Sequence, residues 1–145
     1  MAKFNFPLQK LLNLKKYSED QKAISLGQAQ AALNKELYQL KTFEEMKNSL
    51  FNGDDFISVN LNALRSSNEY LIQINNQIEQ QKQKIALAEK EVDEKRTVLM
   101  KANQEKKSVE LLKDNQKQVF KKEANRVSQI KEDEVASRIV QSNRM

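Results

Sequence analysis

The sequence predicts an all-α protein: two long helices folded back as an antiparallel coiled-coil hairpin, the second longer and overhanging the first. Three observations predict it. In 145 residues there are only 2 Gly and 1 Pro, so few sharp breaks are available. Charged residues make up 31% against 39% hydrophobic and 6% aromatic, with no Trp and a mean hydropathy of −0.78. That is the composition of solvated helix rather than of a domain built around a deep pocket. Finally, Ile57, Leu64, Leu71, Ile78, Ile85, Val92 and Leu99 recur at every seventh position. An unbroken heptad stripe is the mark of a coiled-coil seam.

The first helix is predicted over about 7–51. Pro7, the single proline, suits the first turn of a helix and no deeper position. Leu26, Leu33 and Leu40 answer the heptad stripe at the same period, supplemented by Ala23 and Leu37. Gly27 falls inside this helix with no role that spacing explains. The cluster Asn52, Gly53, Asp54 and Asp55 is the one strong break, a turn over 52–55. Asn or Gly can end a helix in the left-handed conformation, and an Asp can cap the next.

The second helix is predicted over about 56–141. Beside its heptad stripe run Ile74, Gln81, Ala88, Lys95 and Ala102, a second column that is mixed and partly polar. A short turn between two such helices makes them antiparallel neighbours. A parallel dimer of unbroken helices also satisfies the heptads, but only by ignoring Asn52–Asp55. At ~1.5 Å per residue the helices extend roughly 68 Å and 130 Å. The first helix therefore covers the second only to about residue 100, where the next in-phase residues become Lys106 and Lys113. Residues 101–141 are accordingly expected to be an unpaired overhang, within a single domain over 1–145. Its apolar face would be Val109, Leu112, Val119, Val127 and Ile130.

Composition also narrows the chemistry. With no Cys and no His, disulfides, thiolate nucleophiles, imidazole bases and ordinary zinc or haem sites are not expected. Two glycines 26 residues apart make no phosphate-binding loop. Carboxylates such as Glu44/Glu45 and Glu132-Asp133-Glu134 have no apolar pocket to shift their pKa values and read as surface charge. No catalytic, cofactor or metal residue is therefore expected, and the protein reads as a binding protein rather than an enzyme.

The net charge of +5 is unevenly spread: +3 over 1–51, −2 over 52–100 and +4 over 101–145. No run of like charge is long enough for a nucleic-acid tail, so nucleic acid is not expected as a partner. The opening MAKFNFPLQKLLNL is broken by Lys3, Lys10 and Asn13 and lacks a signal-peptide pattern. No stretch approaches the ~18–20 apolar residues of a membrane span, so direct membrane insertion is not expected and a cytosolic protein is.

Two sets of residues are candidate partner surfaces. The amino-terminal run Phe4, Phe6, Leu8, Leu11, Leu12, Leu14 and Tyr17 is richer in large apolar residues than one seam requires. It is either a cover at the base of the hairpin or, with the overhang, an end that enters another protein's cavity. Nearer the turn, Leu40, Phe43 and Lys47 on the first helix and Tyr70, Ile74, Gln77 and Gln81 on the second form strips read as lying off the seam. Aromatics flanking a seam are either extra cover for the core or anchors for a partner groove.

The opening KFNFPLQKLLNLKKYSED, the uninterrupted helix to a break near residue 53, and the longer polar heptad helix resemble the FliJ family of flagellar export proteins. The resemblance covers nearly the whole chain, and F-x-F-x-L-x-x-L-L is its distinctive element. It implies a non-enzymatic, stalk-like component of the flagellar type III export apparatus, and so of flagellum assembly, motility and chemotaxis. It implies as partners the export ATPase FliI as a hexameric ring, the cytoplasmic domain of the export-gate protein FlhA, and export chaperones. It also implies peripheral association with the cytoplasmic face of the inner membrane. By matching positions, the family's gate-contacting surface falls on Leu40, Phe43, Tyr70, Ile74, Gln77 and Gln81. The sequence departs from the family pattern at Lys47, Gln77 and Gln81, where an aromatic, a small residue and a His are usual. The ring-contacting set would be Phe4, Phe6, Leu112, Val119, Val127 and Ile130. The alternative is a generic helical scaffold or chaperone-like coiled coil without an ATPase partner.

Overall fold

A computed structural model of the chain describes residues 3–52 and 61–144. Two helices account for nearly all of them: α1, Gln9–Asn52, and α2, Leu61–Asn143. The first helix begins two residues later than the sequence predicts. Gln9 donates its backbone N–H to the Phe6 carbonyl (3.1 Å) and Leu12 donates to Leu8 (2.9 Å), so Pro7 lies in the tight turn that leads into the helix. The last residue of α1 is Asn52, and the remainder of the expected turn, Gly53–Asp55, lies outside the described residues, as does Ile57 of the heptad stripe. The second helix runs two residues past its expected end.

The chain divides into two units, one of residues 1–19 with 102–145 and the other of residues 20–101. In the second unit the helices are antiparallel. Glu36 meets Gln81, and towards the end of α1 Leu50 and Phe51 share a groove with Leu64 and Leu71. The core is a double column of seam residues. On α2 the heptad stripe supplies Ile78, Ile85 and Val92, and the second column supplies Ile74 and Gln81, all buried. On α1 the facing positions are Leu26, Leu33 and Leu40, half-buried, with Ala29 buried. Ala23 and Leu37, expected to supplement the leucines, are exposed. The second column of α1 instead descends through Ala29, Glu36, Phe43 and Leu50, each seven residues from the last. The stripe is not buried throughout: Leu64 is 69% exposed where the helices part to leave an apolar groove of about 180 Å³.

In the first unit the pairing is again antiparallel: Gln9 meets Lys113, Lys15 meets Glu105, and Glu19 meets Asn103 and Lys106. This corrects the expectation that α2 stands alone from residue 101. The reason lies in the residues that seemed to end the stripe. Lys106, Lys113 and Phe120 continue it at every seventh position, and all three are half-buried. Each lysine carries its ammonium group to an acceptor on α1, Glu19 for Lys106 and Gln9 for Lys113, and its aliphatic stem suits a half-buried seam position. Covering also reaches further than a helix-length estimate allows, because the chain before Gln9 is not helical and spans more length per residue. Phe4 thereby reaches Phe120, their ring centroids 5.6 Å apart. Beyond Phe120, residues 121–144 of α2 and the turn after it are exposed throughout.

Candidate partner-binding surfaces

In the unit of residues 20–101, the strip predicted to lie off the seam is largely the seam itself. Ile74 is 1% exposed and Gln81 3% exposed, both in the second column of α2. Leu40 and Phe43 take the two facing columns of α1 and are half-buried. Burial of Gln81 is possible because its amide Nε2 donates to the Glu36 backbone carbonyl (2.8 Å) and to Glu36 Oε2 (2.5 Å). A buried amide so paired avoids the penalty of an unmet polar group. Outside this layer, Gln39, Phe43, Gln77 and Gln80, with Lys35 and Lys84, border an open groove of about 410 Å³. Glu36 and Gln81 line it as well, so the groove presents amides, one aromatic ring, two ammonium groups and the Glu36 carboxylate. Of the six residues expected at this surface, Tyr70 is 42% exposed, Leu40, Phe43 and Gln77 are half-buried, and Phe43 and Gln77 also border the groove. Ile74 and Gln81 fix the helices that carry them.

In the unit of residues 1–19 and 102–145, the six residues expected to contact a partner also separate. Phe6 is buried among the chain's own residues, with Lys113 Nζ 6.0 Å from its ring centroid, a cation–π approach. Phe4 is half-buried against Phe120. Leu112, Val119, Val127 and Ile130 are exposed, Val119 by 67%. Leu8, Leu11, Leu14 and Tyr17 are exposed as well, while Leu12, only 1% exposed, is a core residue of this unit. Sequence reasoning missed Phe120 and the lysines; their seven-residue spacing from Leu99 was the signal that could have found them.

Electrostatics in this unit centre on Glu19. Its carboxylate accepts hydrogen bonds from Lys106 Nζ (3.1 Å) and Asn103 Nδ2 (3.0 Å). The Lys106 hydrogen bond chiefly holds the Glu19 carboxyl below its ordinary pKa, helped by Asn103 and by the nearby positive charge of Lys107, against a smaller opposing effect of burial. Further along α2, Arg126 pairs with Glu123 one turn away (2.6 Å), which lowers the Glu123 carboxyl and raises the guanidinium. Among the described residues no helix is long and apolar enough to cross a membrane.

A sequence model of the family described as "Flagellar FliJ protein" matches residues 4–145. The chain belongs to the FliJ family. Membership makes it a component of flagellar type III protein export. Among solved structures, the chain is similar to one described as a putative YscO homolog, CT670, from Chlamydia trachomatis. The two share 20% identity at a TM-score of 0.67, with 98% of each chain covered. At that identity the likeness speaks for the fold, an all-α helical hairpin. No curated protein matches the sequence. For a FliJ-family chain, the exposed apolar residues of α2 and the amide-lined groove are the two surfaces to weigh for partner binding.

Proposed function

We propose that the chain is a non-enzymatic, stalk-like coupling factor that binds the export ATPase ring and the cytoplasmic domain of the export gate, and takes part in handling export chaperones. The observation that carries this reading is the family match over residues 4–145, because it includes both candidate surfaces on one chain. The ring would take the unit of residues 1–19 and 102–145 through Leu112, Val119, Val127 and Ile130. Their exposed side chains on an otherwise charged helix suit insertion into an apolar bore. Phe4 and Phe6 support that end by packing within the unit. The gate would contact Phe43, Tyr70 and Gln77, held in place by Leu40, Ile74 and Gln81. Contact with the ring and gate would also keep the protein at the cytoplasmic face of the inner membrane.

In physical terms, an asymmetric helix pair within a near-symmetric ring touches each subunit differently. It thereby favours one arrangement of the ring over others, and any change of arrangement is felt at the second contact. Deleting residues 101–145 would remove most of one unit, so exposed side chains make the better test. Changing Val119, Val127 and Ile130 together to Ser leaves every buried residue in place and is expected to abolish co-purification with FliI and stimulation of its ATP hydrolysis. Undiminished binding and stimulation would overturn the ring assignment.

A further inference from the structure

Within each of the two units the helix pairing rests on different physics. Residues 20–101 are joined by apolar side chains, with Ala29, Ile74, Ile78, Ile85 and Val92 buried and one cross-helix amide at Gln81. The ion pairs described there, Lys82–Glu79 and Arg96–Asp93, lie within α2 and do not bridge the helices. In the other unit the buried apolar residues are Phe6, Leu12 and Ala102. Besides these and the Phe4–Phe120 ring contact, its pairing includes a ladder of charged contacts: Lys113 Nζ to Gln9 Oε1 (2.7 Å), Lys15 Nζ to Glu105 Oε2 (3.1 Å), and Lys106 Nζ with Asn103 Nδ2 to Glu19. Among the described residues, both ion pairs that bridge α1 and α2 are in this unit.

We propose that this ladder is a salt-labile clasp that holds the amino-terminal segment, residues 3–19, against α2 and releases it while the apolar seam of residues 20–101 stays closed. The rungs are partly exposed, Lys15 and Glu105 by 33% and 47% of their side chains, so mobile ions reach them. Contacts of that kind are individually weak and are screened as the Debye length falls from ~10 Å at 0.1 M salt to ~3 Å at 1 M. An apolar seam gains rather than loses under the same change. Release uncovers Phe6 and Leu12 and parts Phe4 from Phe120, which turns covered side chains into ligands for the apolar groove of another protein. A charged partner surface that competes for Lys15, Lys106 or Lys113 would act as salt does. The clasp is a property of the free chain and stands apart from whether the ATPase ring is its partner.

Amide hydrogen exchange of the full-length protein in 0.05 M and 0.5 M sodium chloride tests the clasp. Exchange in residues 11–19 and 102–118 is expected to quicken about five-fold at the higher salt, with residues 74–92 unchanged. Salt-independent exchange in the first two segments, or an equal change in all three, would overturn it. A second variant, Lys15→Gln with Glu105→Gln and Glu19→Gln, keeps polar partners but removes both bridging ion pairs. Its exchange is expected to lose the salt step; retention of the step would overturn the assignment to this ladder. Should the variant lose helicity, the salt series on the unaltered chain alone decides.

Discussion

Gln81 on α2 spends its buried amide on the backbone carbonyl of Glu36 on α1, a 2.8 Å hydrogen bond that puts a polar layer between the apolar layers of Ile78 and Ile85. Polar residues at seam positions trade stability for a fixed register. Replacing Gln81 with Leu removes the buried amide, and the Glu36 carboxylate, half-exposed, can turn to water. Gln81→Leu is therefore expected to stabilise the hairpin by about 1 kcal/mol, read as a higher Tm by circular dichroism. A lower Tm would mean that the hydrogen bonds outweigh the apolar gain.

Gly27 contributes nothing to packing. A Cβ at this position would meet no atom within 4 Å, and the residue lies exposed in the middle of α1. The sequence marked it as a glycine inside a helix without a reason, and the structure supplies none. Gly27→Ala is expected to add about 0.5–1 kcal/mol by restricting the unfolded chain and favouring helix. Urea unfolding monitored at 222 nm measures it; an unchanged or lower midpoint would point to a role for the bare backbone.

The heptads were legible because apolar residues at seven-residue spacing leave few other folds open. Its limits were chemical. Reading hydrophobicity alone ended the seam at Leu99, since Lys106 and Lys113 look like surface residues, whereas long aliphatic stems let a lysine occupy a seam and still reach an acceptor. Phe43, Ile74 and Gln81 likewise look like residues beside the seam, because a column containing Gln and Glu does not register as core. Which residues of the gate-facing strip are exposed depended on how α1 and α2 interlock, and Tyr70 and Ile74, one turn apart, differ by 42% against 1% exposure.

That difference separates folding from binding. Ile74→Ala removes a fully buried side chain and is expected to cost about 2–5 kcal/mol of stability. Tyr70→Ala removes an exposed side chain and Phe43→Ala a half-buried one that also borders the groove, so helicity should persist at a smaller stability cost than Ile74→Ala while binding to the cytoplasmic domain of FlhA weakens at least ten-fold for the pair. Titration calorimetry beside circular dichroism measures both. Intact binding by the folded double variant would remove the strip from the gate contact.

Glu19 gives the pH dependence its direction. Its carboxyl is held below the ordinary value by Lys106 first and Asn103 second, so the folded protein favours the ionised form more than the unfolded chain does. A depressed carboxyl contributes stability that is fully present above the unfolded pKa and is lost as pH falls through the folded one. Protection of amides 102–106 should therefore drop with acid in that window. Lys106→Met removes the chief cause: the Glu19 carboxyl should titrate closer to its ordinary value in carbon-detected NMR, and the acid step at 102–106 should shrink. A step of undiminished size in Lys106→Met would overturn the assignment of the acid sensitivity of this unit to the Glu19–Lys106 pair.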